Sequence, residues 1–497
     1  MSGNTKTPHR IVIAGGGTAG WMAASLLNHY WRQGSNGAKF EIQLVESPQI
    51  GIIGVGEGST PSLKRFFQTL DISDDEWMPE CKATYKVSIQ FNEWSPKATY
   101  SSYGHPFISQ VDTFSERRLY VNCLTRRLGL DVETRPEKFL LNGWLANERK
   151  SPLTPPNFPF EVEYGYHFDS GLLGQFLAKR AFKKGVKHTQ GNIKDVILDQ
   201  GNISALALDN GDLIEGDFFI DCTGFQSLLL QQSLKIGFDS FKSNLFNDSA
   251  VAMPSDVIQP KQNQTQATAL TNGWAWQIPL THRTGNGYVY SSDYITSEQA
   301  ELELRQHLGL LDKDVPVRHL KMNVGQVKQH WARNCLALGL SQGFIEPLEA
   351  TALHLVQGTI EHFADAYAKG GFSMKHRDAF NQQMRENFEA VRNYIVGHYK
   401  LNSRDDSQYW IDNRNNKDIP ESLKQILKVW FNNGDLQQEI KRQKLNSHFG
   451  TASWHCLLAG YGTFPNLAPN QPGKGDLYKD YQLDKFFSGC MLNFQRV

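Results

Sequence analysis

The chain alternates between short unbroken apolar runs and longer stretches whose apolar residues recur at helical spacing. RIVIA at 10–14 has the length and composition of a strand buried on both faces, and a glycine cluster follows it. The spacing then predicts a helix over about 18–32 and a second strand at 41–46 (EIQLVE) that ends in an acid. A long mixed region covers about 60–160 and holds a proline-rich loop, SPLTPPNFP. LLGQFLAKRAF reads as a helix, and IKDVIL and ISALAL as two strands joined by the turn DQGN. DFFIDCTGF closes this section as a further strand.

From about 250 to 330 the pattern is strand-rich, with WAWQIPL and GYVYSS, and TSEQAELELRQHL is a helix opened by a capping box of Thr296 and Gln299. CLALGL is another buried strand, a long helix is expected from about 347, and residues 376–445 read mainly helical. The order is that of an α/β nucleotide-binding domain with inserted substrate elements and a helical C-terminal part.

Composition narrows the function. Among 497 residues, 51 Lys and Arg balance 51 Asp and Glu, so the basic footprint of a nucleic-acid binder is missing. The six cysteines are scattered without a C-x-x-C pair, which fits reduced thiols better than a disulfide framework or a zinc site. The polar start runs straight into a strand, so no signal peptide is expected, and no apolar run approaches the ~20 residues of a spanning helix. A soluble, cytoplasmic, metal-free protein is the expectation.

Gly15-Gly16-Gly17-Thr18-Ala19-Gly20 satisfies G-x-G-x-x-G, directly after a strand and opening a helix. Gly15 permits the tight turn, Gly17 lets backbone approach a pyrophosphate, and Gly20 allows close helix–strand packing. The helix N-terminus then stabilises the diphosphate, and Glu46 can accept hydrogen bonds from ribose hydroxyls. A ligand-free glycine turn is the bland alternative, and NAD could use the same unit. There is no second fingerprint, so a flavin bound here is reduced by transient nicotinamide or by another protein.

GGGTAGWMAASLL, GVGEGSTPSL, EWMPECKATYKVSIQFNEW, YHFDSGLL, DCTGF, NDSAVA, GWAWQIP and GFIEPLEATAL follow in this order, and WHCLLAG returns near 454–460. Together they resemble the flavin-dependent tryptophan halogenases. Trp274-Ala275-Trp276-Gln277-Ile278-Pro279 matches the family's W-x-W-x-I-P signature; on the residues alone, Trp274 and Trp276 are same-face core residues of a strand. The resemblance implies a flavin monooxygenase-like Rossmann module over 8–375 with inserts at about 85–165 and 250–330. Residues 376–497 would then be a mainly helical part contributing to the substrate pocket.

It further implies that reduced FAD (FADH2), O2 and chloride or bromide yield hypohalous acid, which a lysine uses to halogenate an arene. That lysine matches Lys86, although its alternation with Val87, Ile89 and Phe91 places it on the polar face of a strand, where a solvated lysine is the direct reading. The family's glutamate matches Glu349, expected in the first turn of the long helix with Pro347 at its start. A role in complementing the helix dipole is the bland alternative; a shared stripe with Leu353, Val356, Ile360 and Phe363 turns the carboxylate inward.

By the same resemblance Thr351 and Ala352 supply halide-binding amides, with Ala350 and Ala352 standing where serine and glycine are common. Leu340 and Leu353 lie against the flavin, Ile193 meets the adenine side, and Gly56, Glu57 and Thr60 belong to a strap across the flavin. Ser101 and Tyr103 are matched to a histidine and a phenylalanine that clamp tryptophan, and Trp454 and His455 to a tyrosine pair. These departures shift the expected substrate from free tryptophan to a small indole-like arene. A separate NAD(P)H-dependent flavin reductase is the implied partner, and a homodimer the family's expectation. The competing readings are an FAD-dependent hydroxylating monooxygenase, a non-catalytic flavin-binding protein and, weakest, a non-flavin NAD dehydrogenase.

Overall fold

A computed structural model describes residues 8–31, 39–49, 56–98 and 100–497. Residues 1–7, on which the reading of the N-terminus rests, lie outside these, as do Arg32, Gly54 and Val55.

The strand His9–Ala14 is the centre of a six-stranded sheet, paired in parallel with Phe40–Glu46 on one side and Phe218–Asp221 on the other. Cys335–Ala337 continues the sheet in parallel, with Trp331–Ala332 antiparallel at one edge, and Lys187–Gln190 forms the other edge. Ile11, Val12, Ile13 and Ala14 are all solvent-free because both faces are covered, which is why RIVIA shows no alternation. Ile11 and Ile13 join a core built with the helices Thr18–Trp31, Ser170–Lys183 and Ala352–Lys369. Val12 and Ala14 face a different core under the strands Ile193–Asp199 and Asn202–Leu208. Each buried Ile or Val among these contributes about 1.5–3 kcal/mol.

A second, seven-stranded sheet carries the inserted elements. It runs in the order Arg318–Lys321, Ser249–Ser255, Thr284–Tyr290, Gly273–Pro279, Gln264–Leu270, Ser88–Asn92, Ser102–Pro106. All its pairings are antiparallel except that of Gln264–Leu270 with Ser88–Asn92. One core spans this sheet and the C-terminal helices, from Val87 to Phe494. The 25-residue helix Arg377–Leu401 supplies Val391, Tyr394, Ile395 and Tyr399 to it. The expected capping box is present, with Thr296 accepting from the Gln299 amide and Gln299 from the Thr296 amide.

Two expectations are corrected. The helix does not start at 347: Pro347–Glu349 is a separate 3-10 turn, Ala350 takes a left-handed conformation (φ 56°), and the helix begins at Ala352. Lys86 is not on a solvated face, because the chain changes sheets there. Thr84–Lys86 pairs with Gly165–Phe168 in a small three-stranded sheet, and Ser88–Asn92 enters the large one, so both faces are covered.

Candidate functional site

The glycine turn opens onto a cavity of about 660 Å³. Gly15 sits at φ +111°, and a Cβ there would lie 2.2 Å from the Cys222 carbonyl oxygen. A Cβ on Gly16 would strike the Glu46 carboxylate, and one on Gly20 would lie 2.0 Å from the Gly15 carbonyl oxygen. Gly17 differs: a Cβ there would meet nothing within 4 Å, so its backbone faces the open cradle. Thr18, Ala19, Glu46 and Ile193 line the same cavity, and Glu46 also bonds His188 Nε2 at 2.8 Å.

Farther along, Gly56, Glu57, Leu340, Leu353, Ala350 and Ala352 line the cavity. Burial pushes the Glu57 carboxyl up to about 7, with Ser170 opposing by hydrogen bonding. Thr60 is not on this wall; its hydroxyl bonds Ser62 Oγ at 2.9 Å. Thr351 is the N-cap of the helix Ala352–Lys369 yet makes no side-chain cap, so the amides of that N-terminus stay available to an anion at the cavity.

The signature strand Gly273–Pro279 runs along the cavity wall. Trp274, Trp276 and Ile278 all border the cavity. Trp276 lies flat over Gly287, where a Cβ would come within 2.0 Å of its ring. Trp274 Nε1 donates to Glu346 Oε2 at 2.7 Å, and Pro279 accepts from Thr84 Oγ1 at 2.7 Å. The last bond fixes this strand to the one ending at Lys86.

Lys86 lies beside Gly58, its Nζ 3.2 Å from where a Cβ there would sit. It is wholly buried, lines the cavity, and its Nζ makes no hydrogen bond. The amine lies 5.5 Å from the Phe107 ring centroid. Burial lowers its pKa to about 7, with the charge of Glu349 opposing. With a pKa near 7, Lys86 holds both ammonium and free amine near neutrality, and it borders the cavity as an unsatisfied donor.

Glu349, 3 % exposed, is gripped by two histidines. His105 Nδ1 lies 3.0 and 2.9 Å from its two oxygens, and His398 Nε2 lies 3.0 Å from Oε1. Burial alone would raise its pKa; the two imidazoles outweigh that and hold it at about 2. Sequence reasoning missed both histidines. His398 sits in a helical stretch with no local motif, and His105 was overlooked beside Ser101.

The expected substrate residues fall elsewhere. Ser102–Pro106 pairs antiparallel with Ser88–Asn92, placing His105 opposite Ile89 and Tyr103 opposite Phe91. At about 3.3 Å per residue, Ser101 is some 13 Å of strand away from His105, and it is exposed. The histidine and phenylalanine beside Glu349 and Lys86 are His105 and Phe107. Tyr103 stacks on Phe91, with centroids 5.0 Å apart. Trp454 is buried edge-on against Tyr394. His455 stacks on Tyr120 and is lowered to about 4 by burial. Neither lines the cavity.

A Rossmann sheet whose glycine turn shares one cavity with a buried lysine, and with Leu348 and Ala350 on either side of an ionised glutamate, is the frame of a dinucleotide-dependent enzyme. The chain belongs to the tryptophan halogenase family, whose profile matches residues 10–472. It is 37 % identical over 456 residues to the tryptophan 6-halogenase SttH of Streptomyces toxytricini, covering 86 % of this chain and 84 % of that one. The crystal structure of SttH superposes with a TM-score of 0.85 over 99 % of this chain and 98 % of that one, at 30 % identity. BrvH, a flavin-dependent halogenase from Brevundimonas sp. BAL3, gives a TM-score of 0.82 at 32 % identity over 99 % and 98 % of the two chains. All six cysteines are free, and no metal-ligating cluster or membrane-spanning helix occurs among the described residues.

Proposed function

We propose that this chain uses reduced FAD, oxygen and bromide or chloride to form hypohalous acid, and that Lys86 passes the halogen to an indole-class arene. The observation that carries this reading is that one cavity is lined both by the glycine turn and by Lys86, whose amine has no hydrogen-bond partner. The open cradle at Gly17 fits a diphosphate, Glu46 a ribose, Ile193 the adenine side, and Leu340 and Leu353 a flat ring. Gly56 and Glu57, which line the cavity, form the strap over it, and Thr60 lies off that wall. Bound there, reduced FAD supplies, with oxygen, the oxidising power that converts halide to hypohalous acid.

The uncapped amides at Thr351 and Ala352 hold the halide beside that station. Trp274, Trp276 and Ile278, with Pro279 anchored to Thr84, leave passage for a triatomic acid while keeping an arene away from the flavin. Lys86 then either donates a hydrogen bond to hypohalous acid or, as free amine, takes the halogen onto nitrogen. In both cases a carbon–halogen bond forms as the bond to oxygen or nitrogen breaks. Glu349, ionised by its two histidines, accepts the proton that leaves the same carbon. The lone dinucleotide fingerprint supports a separate NAD(P)H-dependent flavin reductase as partner.

Mass spectrometry of products from an arene panel, with flavin reductase, NADH and competing bromide and chloride, tests this reading. Halogenated arene is expected. Hydroxylated arene would favour a monooxygenase, and no turnover a flavin-binding protein.

A further inference from the structure

Gly58, His167 and Thr84 stand in one row across the small three-stranded sheet, with His167 paired to Thr84 on one side and to Gly58 on the other. The protons these groups carry settle the direction of every hydrogen bond that runs through His167. The Pro279 carbonyl can only accept, so its contact with Thr84 Oγ1 at 2.7 Å uses the one hydroxyl proton of Thr84. The Thr84 oxygen therefore accepts from His167 Nδ1–H at 3.2 Å. His167 is wholly buried, and burial together with the charge of Lys86 holds its pKa well below the ordinary value. The ring is thus neutral, with a bare Nε2 that accepts the hydroxyl proton of Thr265 at 2.9 Å. Thr265 has no proton left to donate, and its oxygen presents only lone pairs.

Thr265 Oγ1 and Lys86 Nζ face one gap. A Cβ on Gly58 would lie 3.2 Å from the amine and 3.4 Å from the hydroxyl oxygen, so the glycine leaves a space bounded by a donor and an acceptor. All three residues border the cavity, and the two polar atoms do not bond each other, since the amine has no partner. Hypohalous acid carries the complementary pair, an oxygen that accepts and an O–H that donates. Resting on the halogenation reading above, we propose that Thr265 is a second binding group for hypohalous acid, accepting its O–H while the Lys86 ammonium donates to its oxygen. With both polar ends held, the halogen is the end left to meet the arene. The carbon–halogen bond forms as the oxygen–halogen bond breaks. The oxygen keeps that electron pair, takes a proton from Lys86 and leaves as water, while the proton of the arene carbon goes to Glu349. Lys86 ends as amine and Glu349 as acid, so charge is conserved. His167 and Thr84 are positioning residues in this scheme, and through Pro279 the signature strand sets which way the Thr265 hydroxyl points.

Thr265→Val removes the oxygen at nearly constant volume, and Thr265→Ser keeps it. Halogenated arene and escaped hypohalous acid are measured together, with reductase, NADH, FAD, bromide and a soluble scavenger. Thr265→Val is expected to lower the ratio of halogenated arene to escaped acid about ten-fold, the worth of one ordinary hydrogen bond, with their sum unchanged. Thr265→Ser should keep most of the wild-type ratio. A damaged fold would lower the sum, whereas loss of this contact moves the ratio. An unchanged ratio in Thr265→Val, a fall confined to the sum, or equal losses in the valine and serine variants overturns the proposal. Nitrogen NMR of histidine-labelled wild type, assigned against His167→Gln, gives a check that needs no folded Thr265 variant. His167 should carry its proton on Nδ1 alone at neutral pH, and a protonated Nε2 overturns the direction assigned to the Thr265 hydroxyl and the proposal with it. A wild type that halogenates no arene overturns the reading beneath as well.

Discussion

The indole nitrogen of Trp274 donates to Glu346 at 2.7 Å, which ties the signature strand to the turn carrying Glu349 three residues later. The same oxygen of Glu346 accepts from the Tyr399 hydroxyl at 2.5 Å and from Asn247 Nδ2 at 3.0 Å. Burial raises the Glu346 pKa, with these donors opposing. Glu346→Leu strands several buried donors at about 1–3 kcal/mol each. The expected outcome is a loss of about 3–5 kcal/mol in urea unfolding, whereas Glu346→Gln, which keeps an acceptor oxygen, loses less than half of that. Equal losses in the two variants would show that the network does not depend on an acceptor at this position.

Gly17 and Gly20 belong to one motif but meet different surroundings. A Cβ on Gly17 points into the open cradle, and one on Gly20 collides with the Gly15 carbonyl oxygen at 2.0 Å. Gly17→Val should therefore weaken FAD binding by ten-fold or more in calorimetric titration and leave the apoprotein melting temperature within about 2 °C, as expected of a surface change. Gly20→Ala should lower the melting temperature by several degrees even without FAD. The reverse pattern would place the cofactor elsewhere.

The pKa of Lys86, lowered to about 7 chiefly by burial, has a consequence for stability. Between about pH 7 and the ordinary lysine value of about 10.4, the unfolded chain holds a proton that folded Lys86 has released. Stability contributed by this residue therefore rises with pH across that window, and its full cost is present below pH 7. Lys86→Met should be more stable than the wild type at pH 7, by an amount of the order of a few kcal/mol. The gap should narrow as pH approaches 10 in guanidinium unfolding. A gap independent of pH would mean that the lysine stays charged in the fold.

The Rossmann half was legible because its signals are local: a buried run, a glycine turn and an acid-ended strand occur in sequence order, and Gly15, Gly17 and Glu46 meet where that order puts them. The second half was read less well. Alternation around Lys86 suggested an outward lysine, since nothing local reveals that the chain changes sheets at Val87. The start of the long helix was misplaced because Ala350, a good helix former, is held in a left-handed conformation by its surroundings. His105 and His398 come from segments almost 300 residues apart and meet only through Glu349, a relationship that no spacing rule detects.

On the proposed mechanism, halogen reaches the arene through Lys86 after hypohalous acid has formed beside the glycine-turn part of the cavity. Lys86→Ala and Glu349→Gln separate the two stations, because neither touches the glycine turn or the amides of Thr351 and Ala352. The decisive measurement follows halogenated arene and escaped hypohalous acid, the latter caught by a soluble scavenger, in one reaction with reductase, NADH, FAD and bromide. Lys86→Ala is expected to make no halogenated arene while releasing hypohalous acid at close to the wild-type rate, and Glu349→Gln to lose roughly ten- to ten-thousand-fold in product. Folded Lys86→Ala that halogenates the arene at the wild-type rate would contradict it.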